Sequence, residues 1–150
     1  MRKELDCSIF RAMDLLADRW TMLVLREAFM GARRFTDMQS DLGVARNVLT
    51  DRLNRLVDAG VLERRRYQDR PVRHEYRLTE AGKDLHPALL ALMEWGDRHL
   101  APHGPPALLE HYGCGHDTEP LTVCAHCREP LTPRNVRLKA GPGLHQADAA

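Results

Sequence analysis

The segment Thr36–Tyr67, TDMQSDLGVARNVLTDRLNRLVDAGVLERRRY, predicts two short helices, a tight turn between them and a basic strand. Thr36 and Gln39 have the spacing of a capping box, in which each side chain bonds a free backbone N–H at a helix start. Gly43 interrupts the apolar pattern and supplies the left-handed backbone that a tight turn needs. The second helix is therefore predicted to begin at Ala45.

This second helix has one narrow apolar stripe and a polar opposite face. Leu49, Leu53 and Leu56 fall at positions i, i+4 and i+7, so they are predicted to be buried. Arginine and asparagine on the opposite face suit the edges of bases, and a helix fits the major groove. The residues predicted to contact DNA here are Arg46, Asn47, Thr50, Asp51, Asn54 and Arg55, with Thr36 on the preceding helix. An ordinary solvated helix face is the alternative.

After Gly60 the apolar period changes from that of a helix to that of a strand. Residues 61–78 predict a β-hairpin with a polar, proline-containing tip, and six arginines lie among the seventeen residues of 62–78. Such a basic wing would straddle a phosphate backbone, and Arg64, Arg70 and Arg73 are its predicted contacts. The alternative is a solvated hairpin without a partner.

The positive charge of the chain is concentrated in residues 33–77. The 150 residues carry a net charge of only +1, yet Arg33 to Arg77 hold eleven arginines against seven acidic residues. A length of 150 residues with 43% apolar content fits one domain plus a small appendage. Without a long apolar run or a charged-then-apolar leader, the chain is expected to be cytoplasmic and to avoid membranes.

Catalysis is not expected from this sequence. It has no Gly-rich phosphate loop and no obvious pair of carboxylates, and its histidines are scattered over different predicted elements. We therefore predict that the protein is not an enzyme. Four cysteines in a cytoplasmic chain indicate metal ligands or reactive thiols in place of a disulfide framework.

The remaining helical patterns lie before and after the DNA-reading stretch. Residues 7–17 predict an amphipathic first helix, and residues 20–30 predict a second one that is apolar enough to be central core. A stripe from Ala81 to His99 predicts a long amphipathic helix of about five turns. It is expected to pair with its copy in a second subunit, together with the first helix; packing on its own domain is the alternative.

Three groups of residues stand in a telling order: Cys7-x-x-x-Arg11-Ala12-Met13-Asp14-Leu15-Leu16 with Arg19-Trp20-Thr21, then Leu49-Thr50-x-Arg52-Leu53-x-x-Leu56, then Tyr76-x-Leu78-Thr79-x-x-Gly82. Together they resemble the HxlR family of winged helix-turn-helix transcriptional regulators over roughly residues 5 to 100. The resemblance implies a mainly α fold with a small β-hairpin and with N- and C-terminal dimerisation helices. It also implies a homodimer that binds a palindromic operator in double-stranded DNA.

The expected function is therefore sequence-specific transcriptional regulation, and repression is favoured because a dimer would cover its operator. Cys7 matches a cysteine that in several family members reacts with oxidants or electrophiles, and free N–H groups at a helix start favour a reactive thiolate. A small cysteine that packs the dimer seam is the alternative.

The chain departs from the family at Ala45, where serine is frequent, and at Arg19, where lysine is common. A winged-helix protein–protein interaction module with a structural zinc tail is the competing function.

The last segment carries His111-x-x-Cys114 and Cys124-x-x-Cys127 after a Pro/Gly linker. Two residues between ligands let one turn aim both at a single ion, so this spacing predicts a zinc-ribbon-like tail with one closed, structural zinc site. His116 competes with His111 as the fourth ligand, and a redox dithiol or unliganded cysteines are the alternatives. The predicted organisation is a DNA-binding and dimerisation domain over 1–101, a linker over 102–110, the zinc tail over 111–136 and disorder over 137–150.

Overall fold

The structure, a computed structural model, describes residues 7–142. It divides into two compact units, one up to His86 and one from Pro87 onward, and each is described by itself. The predicted first domain, 1–101, extends beyond this division because its last helix was assigned to dimerisation; the domain boundaries stay a prediction. Within 7–142 no helix is long and apolar enough to cross a membrane.

The first unit is mainly helical with one β-hairpin, as predicted. Its elements in chain order are α1 (Ser8–Leu16), α2 (Arg19–Phe29), α3 (Phe35–Leu42), α4 (Arg46–Asp58), β1 (Leu62–Asp69), β2 (Val72–Leu78) and the short α5 (Glu80–Lys83). The two strands are antiparallel, with Leu62 opposite Leu78 and Asp69 opposite Val72. A helix-turn-helix followed by a two-stranded wing is thus present.

The core lies beneath α4, where the apolar stripe predicted it. Leu49, Leu53 and Leu56 are fully buried, and so are Val24 and Leu25 on α2. Burial of each of these side chains contributes about 1.5–3 kcal/mol, which anchors α4 by one face and leaves its other face free. The prediction that α2 is central core is confirmed.

The turn between α3 and α4 is confirmed, but the start of α3 was predicted wrongly. Gly43 adopts φ 59° at the end of α3, and Ala45 precedes α4 without a side-chain cap, as its methyl side chain requires. The helix begins at Phe35 with Arg34 at the cap position, two residues before the expected cap at Thr36, so no capping box forms. Thr36 instead donates to Asp37 Oδ1 at 3.2 Å, and Gln39 reaches forward to the Val44 carbonyl at 3.5 Å.

A close approach at Gly82 ties α5 to the end of α4. Thr79 caps α5 by accepting the Gly82 N–H at 3.1 Å, while its own hydroxyl donates to the Gly60 carbonyl at 2.5 Å. A Cβ on Gly82 would lie 2.2 Å from the Val61 carbonyl oxygen, so only glycine fits. This contact explains physically why threonine and glycine stand three residues apart here.

The second unit comprises all but the first residue of α6 (His86–Leu100) and a small hairpin of β3 (Leu109–His111) and β4 (His116–Thr118). The long helix predicted from Ala81 is instead broken between α5 and α6. Pro87 lacks the N–H that a continuous helix would bond to the Lys83 carbonyl, and its ring clashes with that carbonyl. Between 87 and 142 no residue is buried.

Candidate nucleic-acid interface

The outward face of α4 forms one continuous exposed surface. Five of the predicted DNA contacts line it together: Arg46, Asn47, Thr50, Asp51 and Asn54. All five side chains are exposed, whereas the opposite face of the helix is fully buried. The surface therefore presents amide, guanidinium, hydroxyl and carboxylate groups, which are the groups that read base edges.

Local contacts hold the first turn of this surface in place. The Arg46 guanidinium lies 5.0 Å from the centre of the Phe35 ring at the start of α3, an arrangement that attracts a cation to the ring face. The Thr50 hydroxyl donates to the Arg46 carbonyl at 2.8 Å, which leaves its oxygen able to accept.

Two other predicted contacts lie outside this surface. Arg55 is exposed, and its Nη2 donates to the Asp14 carbonyl on α1 at 2.9 Å, so part of its guanidinium is engaged within the protein. Thr36 is exposed on α3, where its hydroxyl faces Asp37. Both assignments to DNA stay predictions.

The arginines of the wing fall into two groups. Three are paired with acidic side chains, namely Arg65 with Glu63 at 2.6 Å, Arg66 with Asp69 at 2.9 Å and Arg77 with Glu75 at 2.6 Å. The other three, Arg64, Arg70 and Arg73, are exposed and form no ion pair within residues 7–142. The uncompensated positive charge of the wing thus sits on the three predicted phosphate contacts.

The segment that fixes the base of the wing, Arg33 and Arg34, has no role among the sequence-based predictions. The Tyr76 N–H donates to the Arg33 carbonyl at 2.7 Å, and Arg34 pairs with Glu75 as an isolated antiparallel bridge. The Arg34 guanidinium also lies 4.9 Å from the centre of the Tyr67 ring. Because Arg34 directly precedes α3, the wing is bound to the start of the helix-turn-helix. The sequence feature that could have drawn attention to this segment is the pair of adjacent arginines, Arg33 and Arg34.

An ion pair that the sequence did not reveal joins α4 to the start of α2. Arg52 donates to both carboxylate oxygens of Asp18, and Asp18 also accepts the Thr21 N–H at 3.0 Å. The hydrogen bond from Arg52 lowers the pKa of Asp18 to about 2, helped by the Thr21 N–H and opposed by partial burial. Arg52 additionally contacts Asp51 at the edge of the exposed surface.

The predicted zinc ligands are arranged as two pairs, each in its own turn. His111 Nδ1 lies 3.3 Å from Cys114 Sγ in the β3–β4 turn. The second turn holds Cys124 and Cys127, and the backbone N–H groups of Cys127 and His126 keep the pKa of the Cys124 thiol below its usual range. Within 7–142 no three His, Cys, Asp or Glu side chains meet in a group that could hold a metal ion.

Cys7 immediately precedes α1 and its side chain is exposed in the single chain. Part of the predicted disordered segment, residues 143–150, lies outside the described residues.

Comparison with known proteins places these features in a family. The HxlR-like helix-turn-helix family matches residues 15–104. The chain is 50% identical over 138 residues to the uncharacterized HTH-type transcriptional regulator Rv3095 of Mycobacterium tuberculosis, which covers 91% of this chain and 87% of the relative.

Two solved structures show the same similarity in three dimensions. The crystal structure of PA1607 has a TM-score of 0.81 and 34% identity and covers 90% of this chain and 95% of that one. The redox regulator HypR in its reduced form has a TM-score of 0.59 and 26% identity, over 63% of this chain and 95% of that one. With its helix-turn-helix, its basic wing and a family match over more than half of its length, the chain belongs to the HxlR-like helix-turn-helix family of transcriptional regulators.

Proposed function

We propose that the protein is a homodimeric, sequence-specific DNA-binding repressor that acts in the cytoplasm and carries out no catalytic chemistry. The observation that carries this proposal is the exposed surface of α4, Arg46 to Asn54, with the uncompensated arginines of the wing nearby in the same unit. In this arrangement, the helix supplies groups for bases and the wing supplies charge for phosphates.

The chemistry of the α4 surface suggests how sequence is read. Arg46 can bond guanine O6 and N7 together, and Asn47 or Asn54 can bond adenine in the same paired manner. Asp51 can accept from the cytosine amino group, which disfavours binding by phosphate attraction alone because its charge repels phosphates. Specificity is thus assigned to α4 and general affinity to Arg64, Arg70 and Arg73.

A second copy of the chain is the proposed partner of two apolar helix faces. In the first unit, α1 leaves Ile9 72% exposed and Met13 44% exposed. In the second unit, α6 leaves Leu92 56% exposed and Trp95 55% exposed. Apolar side chains at such spacing mark an interaction face, and a two-fold dimer would place two α4 helices on the halves of a palindromic operator.

Cys7 is the proposed sensor of an oxidant or a small electrophile. Its thiol is exposed at the start of α1, next to the proposed dimer face, so modification there would disturb the dimer geometry. The similarity to HypR, of which both reduced and oxidised structures exist, supports this assignment. Cys7→Ser should bind the operator as tightly as the unmodified protein and should lose the response to diamide.

The decisive experiment isolates the DNA that the protein binds and then measures how the dissociation constant changes with salt concentration. Chromatin precipitation supplies candidate operators, and fluorescence anisotropy on these duplexes gives the dissociation constant between about 50 and 200 mM salt. Affinity should fall steeply over this range because phosphate contacts release counterions. Absent or salt-independent binding would instead favour a protein–protein interaction module. Light scattering checks the dimer, which Trp95→Asp should dissociate.

A further inference from the structure

The tail contains two turns with matching backbone geometry. In the first, the Gly115 N–H donates to the His111 carbonyl at 2.8 Å, and in the second the Arg128 N–H donates to the Cys124 carbonyl at 2.9 Å. Each bond joins residues that are four positions apart, and the loop that it closes contains one pair of candidate ligands, His111 and Cys114 or Cys124 and Cys127. The residue that follows each pair has a left-handed backbone, with φ 68° at Gly115 and φ 64° at Arg128.

The left-handed conformation of Arg128 is unusual for a residue with a side chain. Such a backbone is strained for a non-glycine residue and persists only where its surroundings determine it. Here two hydrogen bonds close the hairpin around it, since the Cys124 N–H donates to the Glu129 carbonyl at 2.8 Å and the Leu131 N–H donates to the Thr122 carbonyl at 2.9 Å. The chain therefore adopts the same turn after Cys127 as after Cys114, although only one of the two positions holds glycine.

The donor atoms of the first turn already have a spacing that a metal requires. Bonds of about 2.0–2.1 Å to nitrogen and 2.3 Å to sulfur at a tetrahedral angle separate the two ligand atoms by about 3.6 Å. His111 Nδ1 and Cys114 Sγ are 3.3 Å apart. The ring of His111 lies against Gly113, where a Cβ would come within 2.8 Å of the ring, so the turn itself sets the ring position.

The structure also separates the two candidate histidines. His116 Nδ1 lies 2.8 Å from the Cys114 carbonyl oxygen, so this nitrogen is engaged with the backbone. His111, by contrast, directs its Nδ1 toward the thiol. We assign His111 as the ligand because its Nδ1 lies beside the Cys114 thiol, whereas His116 keeps only its Nε2 available for a metal.

The tail has little else to hold it in one conformation. No residue between 87 and 142 is buried, and Leu108, Leu121 and Tyr112 are 66%, 71% and 96% exposed. A segment of this size without an apolar core needs a disulfide, a metal or a partner to fold stably.

We propose that the tail binds one zinc ion per chain through the His111–Cys114 and Cys124–Cys127 pairs, which the metal draws together into a single closed tetrahedral site. Three thiolates and one imidazole suit zinc, and four protein ligands leave no position for a reactive water. The zinc therefore folds the tail, and this proposal is independent of DNA recognition by α4.

Elemental analysis of the full-length protein, purified without chelator, tests the site. About one equivalent of zinc per chain is expected, and less than about half an equivalent would overturn the proposal. The Cys124→Ser, Cys127→Ser double variant should lose the metal, and full retention would likewise remove the site. His126→Ala, which changes a residue inside the same turn without removing a ligand, is the matched control and should keep its zinc.

Two further measurements separate zinc from a redox dithiol and His111 from His116. Alkylation of the zinc-loaded protein should modify Cys7 rapidly and the three tail thiols only after chelation; equally rapid alkylation of all four would contradict the proposal. Cobalt(II) in place of zinc should give the intense visible absorption of a tetrahedral thiolate site, and this absorption should be shifted and weakened in His111→Gln but unchanged in His116→Gln. The reverse pattern would overturn the ligand assignment.

Discussion

The Asp18 carboxylate accepts two hydrogen bonds from the Arg52 guanidinium, from Nε to Oδ1 at 2.7 Å and from Nη2 to Oδ2 at 3.0 Å. The same carboxylate accepts the Thr21 N–H at the first turn of α2. The Asp18 side chain thus caps α2 and also binds Arg52 in the middle of α4. The orientation of α4 therefore depends on a polar contact as well as on its leucines.

The Asp18–Arg52 pair should make stability depend on pH in the acid range. Because the pKa of Asp18 is lowered from 3.8 to about 2, its contribution is fully present above about pH 4 and is lost as pH falls toward 2. The shift corresponds to about 2 kcal/mol at most, and about 1 kcal/mol is expected because the side chain stays 31% exposed. Urea unfolding at pH 6 and pH 2.5 measures this, with Asp18→Asn as the reference. An equal loss of stability in that variant would refute the assignment.

Ala45→Ser should stabilise the protein. Ala45 precedes α4 with an extended backbone, φ −60° and ψ 140°, and provides no side-chain acceptor for the free N–H groups of the first turn. A serine hydroxyl there should add about 0.5–1 kcal/mol to the free energy of unfolding. Thermal and urea unfolding report the change, and Ala59→Ser at the opposite end of the helix should show no such gain.

Gly82→Ala should destabilise the first unit by about 2–3 kcal/mol, because the added methyl group would meet the Val61 carbonyl oxygen and force the backbone apart. Gly96→Ala is the matched control. It lies within α6 with nothing near its potential Cβ, so alanine should be neutral or stabilising there. Similar losses in both variants would show that the contact at Gly82 is not the cause.

Replacement of Arg46 and of Arg73 should affect DNA binding differently. Arg46→Ala should cost about 1–3 kcal/mol on the preferred operator and relax preference at one base pair, whereas Arg73→Ala should weaken all duplexes alike and reduce the salt slope by about 1. Affinities on the operator and on single-base variants of it distinguish the two roles. Arg65→Ala, which removes an arginine already paired with Glu63, should change affinity less than Arg73→Ala.

The parts of the molecule that were predicted correctly are those encoded by local spacing. The buried stripe of Leu49, Leu53 and Leu56 follows from helical periodicity, and Gly43 follows from the backbone that a tight turn requires. The contacts that were missed join distant segments, as Arg52 does with Asp18 and as Arg33 does with Tyr76. Their partners are 34 and 43 residues apart, and no periodic pattern connects them.

The start of α3 shows a related limit. Thr36 and Gln39 have suitable side chains for a cap. The cap position is instead Arg34, whose extended backbone is paired with Glu75 of the wing. A long-range strand contact therefore decides a boundary that the local sequence would place two residues later. Likewise, Arg55 carries the right chemistry for DNA, but the position of α1 gives its guanidinium an intramolecular acceptor.

The distribution of buried apolar residues has a consequence for synthesis of the chain. Within residues 7–142 all ten lie between Leu16 and Leu62, so every apolar core side chain of the helix-turn-helix has been synthesised once the first residue of β1 is added. Domains generally fold as units in the order of translation, from the N-terminus. The exposed surface of α4 can therefore take shape while α6 and the cysteine turns are still being made.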